Sequence, residues 1–131
     1  MPPFTITASH LKLLKTALII EALHIAIILA IPIFGLFGLY FAEPEYRDGY
    51  VLIMTLSVPL MLLVVILVML FLINLKNYKR FKHNAVDRIR AENIFTNHLL
   101  YGILISIFAA LFFIGIPYIM SSVKGKKALG K

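Results

Sequence analysis

Read from the N-terminus, the chain sets long apolar runs between short polar ones. The apolar runs cover residues 17–42, 50–75 and 99–120, and Glu21 is the one formal charge inside them. A helix needs about 20 apolar residues to cross the hydrocarbon layer. None of the runs shows the polar face that a soluble helix of this length carries. The pattern predicts an all-α integral membrane protein: a bundle of three transmembrane helices in a single membrane domain, with 121–131 as a tail. The first run is too long for the core of a signal peptide, and Tyr40-Phe41-Ala42 makes a poor cleavage site, so it reads as a span.

The connecting segments orient the spans. Residues 43–49 hold three acids and Arg47, whereas 76–97 hold Lys76, Lys79, Arg80, Lys82, Arg88 and Arg90. Basic residues are retained on the cytoplasmic side. The N-terminus is therefore expected inside, with 43–49 outside and, after three crossings, the C-terminus outside in the cell (inner) membrane. Eight Lys and Arg then lie inside against five outside, and the lysine-rich tail "KGKKALGK" opposes the assignment. Within 76–97, Tyr78, Phe81, Ala85 and Ile89 form one stripe at helical spacing. They predict a partly helical basic segment that lies in the headgroup layer or continues span 2; a solvated connector is the alternative. Pro2 and Pro3 predict an extended start, and Ser9 a cap for a short helix ahead of span 1.

Composition sharpens this picture only in places. Hydrophobic residues make up 61% of the chain, and the net charge is +7. In so apolar a protein that charge points to anionic lipid headgroups at the basic loop, and not to nucleic acid. Cysteine and tryptophan are absent. Disulfides and thiolate chemistry are thereby excluded, and interfacial anchoring falls to Tyr40, Tyr50, Tyr101, Tyr118 and the lysines.

Close approach at small residues is the main packing device between helices in lipid. Ala22, Ala26 and Ala30 in span 1, and Gly102, Ser106 and Ala110 in span 3, recur every fourth residue. They predict contact between spans 1 and 3, or self-association through one of them. Pro32, Pro59 and Pro117 place one proline in each span, a source of kinks that membrane helices tolerate.

The candidate chemistry sits at the cytoplasmic end. A carboxylate within the apolar layer wants a partner. His24 is three residues from Glu21 on one helix face, and Asn74, His98 and Tyr101 fall at the same level. Glu21, His24, Asn74, His98 and Tyr101 thus form one candidate polar cluster. It could glue helices together, carry protons or a cation, contact a lipid or quinone carbonyl, or hold a divalent metal. No metal or other cofactor is expected from these residues. On the helical wheel Glu21 lies beside the alanine stripe, which favours a site shared with span 2 or a lipid-facing groove.

No motif names a reaction or a ligand. The reading that fits is a membrane protein without enzymatic activity: an accessory or assembly subunit of a membrane complex, or a homo-oligomer. The alternatives are an oligomeric transporter using Glu21 and His24, and a pore-forming protein.

Overall fold

The computed structural model describes residues 2–107 and 112–130, the side chains of 112–114 excepted. Its helices are α1 (Ala8–Phe41), α2 (Arg47–His83), α3 (Arg88–Ile107) and α4 (Phe112–Ala128), with a 3-10 turn, Pro44–Tyr46, between α1 and α2. The fold is all-α; among the described residues the one β feature is an isolated bridge between Phe4 and Val86. Helices α1 and α2 are 34 and 37 residues long, about 50 and 55 Å at 1.5 Å per residue. Both are long and apolar enough to cross a membrane.

Local chemistry sets the helix ends. Thr7 caps α1, its Oγ1 accepting from the His10 amide at 3.3 Å. The cap expected at Ser9 is thus corrected: Ser9 lies inside the first turn, and its hydroxyl accepts from Lys124 Nζ at 2.7 Å. Asp87 caps α3 by accepting from the Arg90 amide. Beyond α4, Gly130 takes a left-handed φ of 82°, a common way for a helix to stop.

The chain divides into two compact units, Ala22–Phe71 and a second made of Met1–Glu21 with Leu72–Lys131. In the first, the outer parts of α1 and α2 form a helical hairpin. They pack tightly at Gly38, where an added Cβ would strike the Tyr50 ring, and at Gly35 beside Ile53 and Met54. Ile25, Ile28, Ser57, Val64 and Leu67 are buried, while Ile27, Phe37, Leu62 and Met69 are exposed. Ala22, Ala26 and Ala30 are also exposed. The stripe is thus open on this unit, as the expected self-association through it would need, while Ile25, Ile28 and Gly35 turn inward.

In the second unit the third apolar run is not one helix. Helices α3 and α4 run antiparallel, and their closest approach is at Gly102 and Gly115. A Cβ on Gly102 would lie 2.7 Å from the Gly115 carbonyl, and one on Gly115 would lie 2.5 Å from that of Gly102. Ser106 faces the same crossing; Ala110 lies outside the described residues. In one straight helix Tyr101 and Tyr118 would be about 25 Å apart, yet their rings meet edge to face at 4.9 Å. The expectation of a third crossing at 99–120 is corrected accordingly.

The segment 76–97 is partly helical as expected and continues span 2: α2 runs on to His83 and α3 starts at Arg88, which leaves a short connection in place of the alternative solvated connector. The stripe divides, with Phe81 buried and Tyr78 partly buried in the core while Ala85 and Ile89 are exposed. That core gathers Phe4, Leu14, Phe81, Val86, Ala91, Ile94, Phe95 and Leu129. Phe95 is its hub, stacked on Phe81 at 5.3 Å and edge-on to Phe4 at 5.5 Å. Phe4 and Val86 exchange backbone hydrogen bonds of 2.7 and 3.0 Å. With Leu129 and Phe4 in one core and Lys124 bonded to Ser9, the two ends of the chain share one unit.

Candidate functional site

Glu21 lies on the buried face of α1 and has no exposed surface. An unpartnered carboxylate there would cost several kcal/mol. Both oxygens are satisfied: Tyr101 Oη donates to Oε1 at 2.6 Å and Tyr118 Oη to Oε2 at 2.5 Å. The donors come from α3 and α4. The share expected from span 2 comes from Asn74, while the expected lipid-facing groove is corrected, because folding back the third run delivers two phenols to one carboxylate. Asn74, on α2, sits close enough to influence Glu21 and Tyr118. Its Nδ2 is buried without a hydrogen-bond partner. His24 is partly buried and belongs to the other unit.

A second group of polar side chains adjoins the first. Ser121 Oγ lies 2.9 Å from His10 Nε2 and 3.2 Å from His98 Nδ1. One hydroxyl holds one proton, so Ser121 donates to one imidazole and accepts an N–H from the other. The His98 ring packs against Tyr118 at 5.2 Å, which joins the two groups by ring contact. Burial, and then the charge His10 can carry, push the His98 imidazole down to about 4, so it is neutral at pH 7.

Simple periodicity aligns these residues. His10 and Glu21 are eleven apart on α1, three helical turns and hence one face. His98 and Tyr101 on α3, and Tyr118 and Ser121 on α4, are each three apart. Sequence reasoning singled out Glu21, Asn74, His98 and Tyr101, and missed His10, Tyr118 and Ser121 as members of the site. The available signal was His-x-x-Tyr at 98–101 and Tyr-x-x-Ser at 118–121, two polar pairs at matched spacing in the halves of one apolar run. Only an antiparallel fold makes them face each other.

The arrangement restricts the chemistry. A serine hydroxyl beside an imidazole is the usual pairing for an activated nucleophile. Here Ser121, His10 and His98 are all at least 98% buried, which denies a substrate access. Among the described residues no three His, Asp or Glu side chains group so as to hold a metal ion. A cleft of about 650 Å³ opens elsewhere in the unit, lined by Pro2, Asp87, Arg88, Glu92 and Leu129 among others, and includes none of the buried polar residues. What the site does directly is tie α1 to α3 and α4 through one carboxylate and one hydroxyl. No family model, curated protein or solved structure matches this chain.

Proposed function

We propose that this chain is an integral membrane protein that works without catalysis, as an accessory or self-associating subunit of a membrane assembly. Helices α1 and α2 cross the bilayer as a hairpin with 43–49 outside. Both chain ends and the basic α2–α3 connection lie at the cytoplasmic face, and the apolar halves of α3 and α4 dip into the same leaflet. The observation that carries this reading is the partition of charge. Of thirteen Lys and Arg, Arg47 alone belongs to Ala22–Phe71, and the other twelve belong to the second unit. This is a far steeper bias than three crossings would produce, and it follows the rule that retains basic residues inside.

Two further observations support it. Leu23, Ile27, Phe34, Phe37, Leu62 and Ile66 are each more than half exposed, a surface that water would penalise and acyl chains would cover. The buried polar side chains meet one another without access for a substrate, as a structural tie requires.

The chain has no cysteine, so single cysteines report its topology cleanly. Asp48→Cys is expected to react with a membrane-impermeant thiol reagent in intact cells. Asn84→Cys and Ala128→Cys are expected to react only after lysis. Reaction of Ala128→Cys from outside would overturn the two-crossing topology. The native mass of the detergent-purified protein tests the subunit role: a defined oligomer or a co-purifying partner supports it, and a lone monomer refutes it.

A further inference from the structure

In each helix of the unit formed by Met1–Glu21 and Leu72–Lys131, the outward face changes from polar to aliphatic within about one turn. On α1, exposed Lys12 and Lys15 give way to Ile19. On α2, exposed Lys79 and Lys76 give way to Ile73 and Leu72. On α4, exposed Lys127 and Lys124 give way to Val123 and Met120, and on α3 Asn97 gives way to Leu100. Glu21, Tyr101 and Tyr118 lie just inside the change on their helices, and they are bonded to one another. The lysines of α1, α2 and α4 therefore form a belt that α3 leaves open, each about one turn from exposed aliphatic side chains.

We infer that the lysine belt is a binding surface for the phosphates of anionic phospholipids. The inference rests on the membrane reading above and goes beyond it by naming the partner. The unit holds twelve basic residues against Asp87, Glu92 and the buried Glu21. Its exposed ammonium groups are thus largely uncompensated, and each contributes attraction to an anionic surface. The ligand must also cover the adjoining aliphatic belt. A nucleic acid or free phosphate satisfies only the charges, whereas a phospholipid places phosphate and acyl chain at the two levels the helices present. Lysine suits such a boundary, because its aliphatic stem lies along apolar surface while its head stays at the phosphates.

The test uses the full chain in a non-ionic detergent, titrated with fluorescent phosphatidylglycerol. The parent protein is expected to bind it, to lose binding as salt is raised, and to ignore phosphatidylcholine. The Lys12→Gln/Lys15→Gln/Lys76→Gln/Lys79→Gln variant is expected to bind more than tenfold more weakly, because each lysine near a charged surface is worth up to about fivefold. Arg47→Gln is expected to bind like the parent. All four lysines are exposed, and unchanged circular dichroism would show that the variant folds. Equal binding of the two lipids, or an unaffected four-lysine variant, would overturn the inference. So would displacement of the fluorescent lipid by inorganic phosphate alone or by a short RNA but not by unlabelled phosphatidylglycerol. Release of the chain from carbonate-washed membranes would sink the membrane reading itself, and that outcome is read independently of lipid choice.

Discussion

The two units differ in what their interiors contain. Of seven buried polar residues among those described, Ser57 alone lies in Ala22–Phe71, whereas His10, Glu21, Asn74, His98, Ser121 and Ser122 lie in the other unit. The hairpin unit holds itself with glycine contacts and aliphatic side chains, and its exposed side is as apolar as its buried side. The other unit has an aromatic core centred on Phe95, polar ties and an exterior with exposed lysines beside exposed aliphatic side chains. The contrast follows from the solvent proposed for each. Where lipid surrounds a helix, burying aliphatic groups gains little and close packing dominates. Where water surrounds it, apolar burial drives folding at about 25 cal/mol per Å². The same residue types therefore carry different energies in the two units.

Substitutions can break this contrast or sharpen it. The largest effect is expected at Phe95, which touches Phe4, His10, Phe81 and His98. Phe95→Ala should lower stability by about 3–5 kcal/mol. Leu62→Ala, on the exposed side of the hairpin unit, should change it little. Denaturant unfolding in mild detergent would compare them, and equal losses would erase the distinction between the units.

Acid comes next. His98 is neutral when folded, with its pKa pushed down to about 4 from an ordinary 6.5. A group depressed in this direction stabilises the fold above pH 6.5, where neither state binds the proton. The gain is lost as pH falls from 6.5 toward 4, because the unfolded chain takes up the proton first. The loss is on the order of 3 kcal/mol. His98→Gln should reduce the slope of the stability profile over that window and leave the part due to His10, which burial also pushes down to about 4. An unchanged profile would show that His98 stays accessible to protons.

A smaller effect is expected at the α3–α4 crossing. Gly115→Leu forces apart backbones that already touch and should cost about 1–3 kcal/mol. Ala26→Leu adds bulk to an exposed face and should be tolerated by the folded chain. Should Ala26→Leu instead dissociate an oligomer seen by native mass, the alanine stripe is a contact between copies.

The smallest effect is expected at the carboxylate itself. Glu21→Gln keeps an acceptor for one phenol and leaves the other to find a new partner, a loss of about 1 kcal/mol. In proteoliposomes the substitution should leave proton permeability unchanged if Glu21 is a tie. Loss of a measurable proton flux would assign it to transport.

Much of the fold was legible from residue pattern alone. The all-α class and the two long apolar helices follow from runs too apolar and too long for a soluble helix. The interest of Glu21 follows from the energetic exposure of any carboxylate placed among aliphatic residues, whatever surrounds it. Asn74, His98 and Tyr101 were visible for the same reason, as polar groups at a common distance from the ends of apolar runs.

Which face of each helix turns inward was not legible, because aliphatic residues surround α1 and α2 and hydrophobicity then carries no direction. Nor did small or polar character decide it, since Glu21, Gly35, Ser57 and Asn74 are buried whereas Ala22, Ala26, Ala30 and Thr55 are exposed. The fate of 99–120 was not legible either. A run of 22 apolar residues is long enough to cross a bilayer and equally able to fold back on itself, since length and hydropathy are the same in both cases. Tertiary contacts decided between them. Gly102 and Gly115 let α3 and α4 touch, and Tyr101 and Tyr118 close on Glu21. Those contacts bring the C-terminal segment back beside the first turn of α1, and that return places twelve of the thirteen basic residues in one unit.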